Sequence, residues 1–184
     1  MSRKKRQQNK NIRKQAIPHY TLIGEGFEEQ YYFKHLNKFG KTSVKVQNSN
    51  CNIGGNIKTI EKKITEILND HGRVVCVFDD DVEKVREYLN THKNNPDVLI
   101  CNSNPSIAYW FLLHYEKKYG AMTAENALKS LQKHIKNYDK TEQFLQNEKW
   151  VADMLPHLDD ACLRAKNNTD QHSYSNVYKI FEQQ

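Results

Sequence analysis

The chain has 184 residues, the size of one ordinary domain, and 38% of them are hydrophobic, which fits a polar-surfaced protein with a modest core. No run of 18 apolar residues occurs and no apolar signal segment opens the chain, so neither a membrane span nor secretion is expected, and a cytoplasmic location is. The net charge of +6 is local: residues 1–14 hold seven Lys/Arg and no acid, leaving 21 Lys/Arg against 22 Asp/Glu in the rest.

Residues 1–17 therefore read as a basic tail. MSRKKRQQNKNIRKQ carries one apolar side chain after the initiator Met, Ile12, a composition expected to be disordered when free. Arg3, Lys4, Lys5, Arg6, Arg13 and Lys14 could neutralise phosphates without reading sequence, giving salt-dependent affinity for nucleic acid. A solubilising arm without a partner accounts for the same composition.

From residue 18 the pattern alternates. YTLIGEG (20–26) predicts a strand ending in glycines, and FEEQYYFKHLNKFG (27–40) a helix closed by Gly40. SVKVQNS (43–49) alternates like a strand, and the segment around GGN (54–56) is a turn. Ile57, Ile60, Ile64, Ile67 and Leu68 then fall on one helical face. RVVCVF (73–78) is an apolar strand of the doubly covered type, VEKVREYLNTH a short helix, and DVLICNS (97–103) another strand. A proline-started helix is expected over 105–120, with further helices over about 124–138 and 142–166, the last divided or kinked at Pro156. This order predicts a small, mostly parallel α/β sheet flanked by helices over residues 18–120, with a helical portion over 121–184 completing the same domain.

Ligand sites in such sheets lie beyond the carboxyl ends of the strands, where this sequence concentrates acids. Glu25 follows the first strand, and Asp79, Asp80 and Asp81 follow RVVCVF. Asp79 and Asp81 project to the same side while the chain stays extended, and Glu28 and Glu29 lie in the first turn of the helix after Glu25. Four or five carboxylates without interleaved His or Cys suit Mg²⁺ or Mn²⁺ and do not suit zinc. The pieces also have plain readings: Glu28 and Glu29 would complement a helix dipole, Asp80 would cap the next helix, and three aspartates could be a solvated helix start.

Other chemistry has little support. No GxSxG occurs, the eight histidines show no HExxH spacing, and GGNIKT lacks the phosphate-loop spacing. Cys51, Cys76, Cys101 and Cys162 have no paired ligand spacing, and Cys76 and Cys101 sit in apolar runs as buried reduced thiols. Trp110 has helical core spacing, His114 is either a core histidine or a site residue, and Asn104 is either a cap or a site residue.

Taken together, IGEGFEEQYYF resembles the opening EGxTExxYF of RloB-like proteins, VVCVFDDD their strand ending in DxD, and SNPSIAYWFLLHYE their SNPxFExWxLLHFE block. YDKT (138–141) and SNVYKIFE (175–182) resemble later, weaker blocks. The resemblance covers nearly the whole chain and implies a Toprim-type domain, the metal-dependent fold of OLD-family nucleases and topoisomerases. It further implies an antiphage nuclease from restriction-linked or abortive-infection loci, commonly accompanied by an ATPase partner. By motif position Glu25, Glu29, Asp79 and Asp81 are the implied metal ligands, with Glu25, Asp79 and Asp81 also in the catalytic set. Two positions depart. Glu28 replaces a threonine, a change expected to do little, and Ala108 stands where the family has a glutamate that could bind metal or move a proton. Ala108 is either natural variation that weakens the chemistry or a deliberate inactivating substitution; the second is favoured here.

The expectation is thus a Mg²⁺- or Mn²⁺-dependent endonuclease acting on DNA or tRNA, with Lys140 as a candidate for charge stabilisation. The alternatives are a non-catalytic subunit binding nucleic acid and an ATPase, and a nucleotidyl-transfer or primase-like activity. The 121–184 portion is the candidate surface for a homodimer or a partner.

Overall fold

The computed structural model describes residues 19–50, 53–117, 120–170 and 172–183. Three parallel strands form the central sheet: β1 (Tyr20–Gly24), β2 (Arg73–Val77) and β3 (Val98–Ile100), in that spatial order. The helices between and after them are α1 (Phe27–Lys38), α2 (Ile57–Asn69), α3 (Glu83–Asn90) and α4 (Ile107–Leu112). With its flanking helices the sheet is consistent with a Toprim-like α/β fold.

The apolar run of β2 is explained by helices on both faces. Val74, Cys76 and Phe78 pack with Ile60 and Ile64 of α2 and Val85 and Leu89 of α3, whereas Val75 and Val77 face Leu22, α1 and α4. The strand's period of two thus sorts its side chains between two cores. Ile60 and Ile64 are fully buried, each contributing on the order of 2 kcal/mol through apolar area removed from water. On the other face Trp110 Nε1 donates to the Tyr32 hydroxyl at 2.9 Å, joining α4 to α1, and Trp110 is fully buried as core.

The helical C-terminal portion comprises α5 (Ala124–His134), α6 (Glu142–Leu145), α7 (Lys149–Met154) and α8 (Leu158–Lys166). Ala127, Leu131, Trp150, Val151, Ala161, Val177 and Ile180 share one core with Leu22, Tyr32 and Phe33 of the sheet region. A short antiparallel ribbon, β4 (Ser103–Asn104) with β5 (Tyr174–Ser175), returns the C-terminus to the sheet, and Asp79 bridges Ser103.

Several elements differ from the sequence pattern. The 43–49 segment contributes a single parallel bridge, Thr21 to Lys45, and gives way to a 3₁₀ turn at Asn48–Asn50; Asn37 Nδ2 donates to the Val44 carbonyl at 2.7 Å. The helix expected over 105–120 stops at Leu112, and Arg164 Nη1 satisfies the carbonyls of Leu113 and His114 at 2.8 and 3.0 Å. The 142–166 stretch is divided into three: Asn147 Oδ1 accepts from Lys149 N at 2.9 Å, and Leu155–His157, containing Pro156, forms a 3₁₀ turn before α8. Gly40, with φ at +66°, takes the left-handed turn that follows α1. Cys76 and Cys101 are buried, burial pushing the Cys76 thiol up to about 12, while Cys51 lies outside the described residues. Among the described residues no helix is long and apolar enough to cross a membrane.

Candidate active site

In the parallel register Gly24 lies opposite Val77, so Glu25 and Asp79 leave the same edge of the sheet on adjacent strands. Glu25 Oε2 accepts a hydrogen bond from Asp79 N at 3.2 Å. Asp79 Oδ1 in turn accepts from Ile107 N at 2.8 Å, so the carboxylate takes the cap position of α4 that sequence reasoning considered for Asn104. Glu29 is only 3% exposed, with Oε2 accepting from Gly26 N at 2.9 Å at the start of α1.

Burial pushes Asp79 up to about 7 and the Glu25 charge adds to the rise, while the Ile107 N–H opposes it. Glu29 is pushed up to about 8, first by burial and then by the charges of Glu28 and Asp79. Glu25 is raised by burial and by the Asp81 and Glu28 charges, against the pull of the Asp79 N–H and of Lys140. Asp81 is exposed at the rim, close enough to bear on Glu25.

Lys140 joins this group although it lies over a hundred residues from Glu25, Glu28 and Glu29 in sequence. Its ammonium pairs with Glu28 Oε2 at 2.8 Å, and the Tyr138 hydroxyl donates to Glu28 Oε1 at 2.6 Å. Burial works against the Lys140 charge, but Glu28, Asp79 and Glu29 together raise its pKa. Glu28 is therefore the tether that holds the YDKT segment at the carboxylate pocket, not the inconsequential replacement expected from sequence. Tyr138 was missed; its place at the head of YDKT was the available signal.

Asp80 faces the other way. Its side chain accepts from Asn102 Nδ2 at 3.1 Å and from the Tyr174 hydroxyl, and Arg86 Nη1 stands 3.8 Å from it. It is a structural carboxylate anchoring β5 and not the cap of α3, whose N-terminus begins at Val82 without a side-chain cap. Ala108, the second residue of α4, is fully buried one position from the N–H that holds Asp79. His114 is also core: burial lowers it to about 4, and its Nδ1 lies 3.1 Å from the Trp110 carbonyl oxygen.

Among the described residues no three His, Cys, Asp or Glu side chains are arranged so as to hold a metal ion. Arg3, Lys4, Lys5, Arg6, Arg13 and Lys14 lie outside the described residues.

The fold and the strand-end carboxylates define an α/β protein with an acidic pocket at the carboxyl edge of a parallel sheet. The chain belongs to the RloB-like protein family, whose model matches residues 20–183. No curated protein and no solved structure matches it.

Proposed function

We propose that this chain is a Mg²⁺- or Mn²⁺-dependent, Toprim-type endonuclease that hydrolyses phosphodiester bonds of DNA or tRNA in antiphage defence. The observation carrying this reading is the contact between Glu25 and Asp79, which unites the ends of two adjacent parallel strands in one anionic pocket. The donor set is of the kind a hard divalent cation takes, since it consists of carboxylate oxygens, and its pKa values are raised first by burial and then by neighbouring negative charge that such a cation would compensate. Glu25 and Asp79 would hold the ion, with Asp81 at the rim and Glu29 behind. When bound, the cation supplies positive charge for phosphoryl oxygens and acidifies water.

The chain's own groups do the rest. The Ile107 N–H fixes the orientation of the Asp79 carboxylate, and Lys140, held by Glu28, offers a cation to the charge developing on the phosphate. The basic residues of 1–14 would hold the nucleic-acid strand by its backbone.

Two observations favour a second reading, a non-catalytic subunit that binds nucleic acid and an ATPase partner. Ala108 has no group able to ligate or to move a proton, and no three-carboxylate cage is formed among the described residues. The experiment that separates the readings is cleavage of labelled linear DNA, single-stranded DNA and total tRNA by this protein and by Ala108→Glu, in Mg²⁺, Mn²⁺ and EDTA. The expected result is cleavage by Ala108→Glu that disappears in EDTA and in the added Asp79→Ala variant. No cleavage by either form, with both folded, contradicts the nuclease reading.

A further inference from the structure

On the Asp80 side of the same strand end lies a cavity of about 330 Å³, walled by the edge strand β3, by α3 and by β5. That volume falls in the range of small-molecule sites. Arg86, Lys93 and Lys179 line it against a single carboxylate, Asp80, which the Tyr174 hydroxyl and Asn102 Nδ2 already engage. Among the described residues neither Lys93 nor Lys179 has a carboxylate within ion-pair distance. The cavity therefore presents an excess of positive charge.

Asn102 supplies a second and independent observation. It is 7% exposed and forms part of the cavity wall. Its Nδ2 must face the Asp80 carboxylate, which can only accept, so the amide orientation is fixed and Oδ1 is left buried without a hydrogen-bond partner. Buried acceptors are costly to leave unpaired. A bare anion cannot satisfy this one, because it too only accepts.

We infer that this cavity binds a nucleoside phosphate, its phosphate on Lys93, Lys179 and Arg86 and a base or sugar donor turned to the Asn102 carbonyl oxygen. The chemistry is shared by a free nucleotide and by one nucleotide of a single strand. The inference does not rest on the nuclease reading, since the cavity and the Glu25–Asp79 pocket lie on opposite sides of the chain at Asp79 and Asp80.

Titration calorimetry on the full chain in EDTA tests it, with AMP, inorganic phosphate, ten-nucleotide single-stranded RNA and DNA, and oligoglutamate as probes. AMP is expected to bind at least about tenfold more tightly than phosphate or oligoglutamate, and the Lys93→Ala/Lys179→Ala double variant to weaken it by about tenfold or more. Both lysines lie on the cavity rim outside the apolar cores, so the double variant is expected to fold, which circular dichroism checks. A decamer that binds more tightly than AMP with the same lysine dependence assigns the site to a strand, and one no tighter assigns it to a free nucleotide. AMP binding no tighter than phosphate or oligoglutamate, or binding unchanged in the folded double variant, overturns the inference. Because binding alone is read, and without divalent cation, its failure leaves the nuclease reading untouched.

Discussion

Asp79 and Asp80 are neighbours in sequence and opposites in surroundings. Asp79 lies among like charges, with the Ile107 N–H as its carboxylate's partner and burial pushing its pKa up to about 7. Asp80 is buried more deeply, at 5% exposure, yet a phenol, an amide and a guanidinium share its charge. The pleat of β2 makes the difference: odd positions face α1 and α4, even positions face α2 and α3, and the alternation continues past Phe78 into the aspartates. A run of identical residues thus supplies one carboxylate whose charge is uncompensated and another that is a structural anchor.

The largest expected consequence of that difference is on stability against pH. An acid whose folded pKa lies above its unfolded value carries more protons folded than unfolded, so stability falls as pH rises through the interval between them. For Asp79 the interval runs from its ordinary 3.8 to about 7, and for Glu29 from 4.5 to about 8. In EDTA, urea unfolding is expected to show its highest stability near pH 4 and to lose several kcal/mol by pH 8, on the order of 4 from each of the two acids. Asp79→Asn should remove about half of that loss and leave the part due to Glu29, and an unchanged profile in the variant would dissolve the contrast between the two aspartates.

The next effect is on the other side. Asp80→Ala strands the Asn102 amide and the Tyr174 hydroxyl without their acceptor, and is expected to cost about 2–3 kcal/mol in urea unfolding while leaving the pH slope in place. A cost near zero would mean that the β5 ribbon is held elsewhere. The smallest effect belongs to Arg86→Ala, expected to cost about 0.5 kcal/mol or less, because its guanidinium stands 3.8 Å from Asp80 on a side chain 42% exposed.

The sequence made the strand ends legible because their signals are local. The apolar run of β2 announced a doubly covered strand, the isoleucines of α2 an amphipathic helix, and the acids after β1 and β2 a shared edge once the strands were taken as parallel neighbours. That Asp79 leaves β2 beside Glu25 followed from the parallel register, but the partners of Asp80 could not be read, since Tyr174 lies 94 residues away. The same limit hid Tyr138 from Glu28, 110 residues apart, and Arg164 from the end of α4. Short-range rules placed the helix starts well. The end of α4 is met by a long-range donor, Arg164, that no local pattern encodes.

The most direct test of the central claim, that Glu25 and Asp79 form a divalent-cation site, is thermal unfolding at pH 7.5 with and without Mg²⁺. Unaltered protein, Asp79→Asn and Arg86→Ala would be compared. The account predicts that Mg²⁺ raises the Tm of the unaltered protein and of Arg86→Ala, and that Asp79→Asn shows no Mg²⁺ response. An equal Mg²⁺ response in Asp79→Asn would contradict it and place any bound cation away from the paired strand ends.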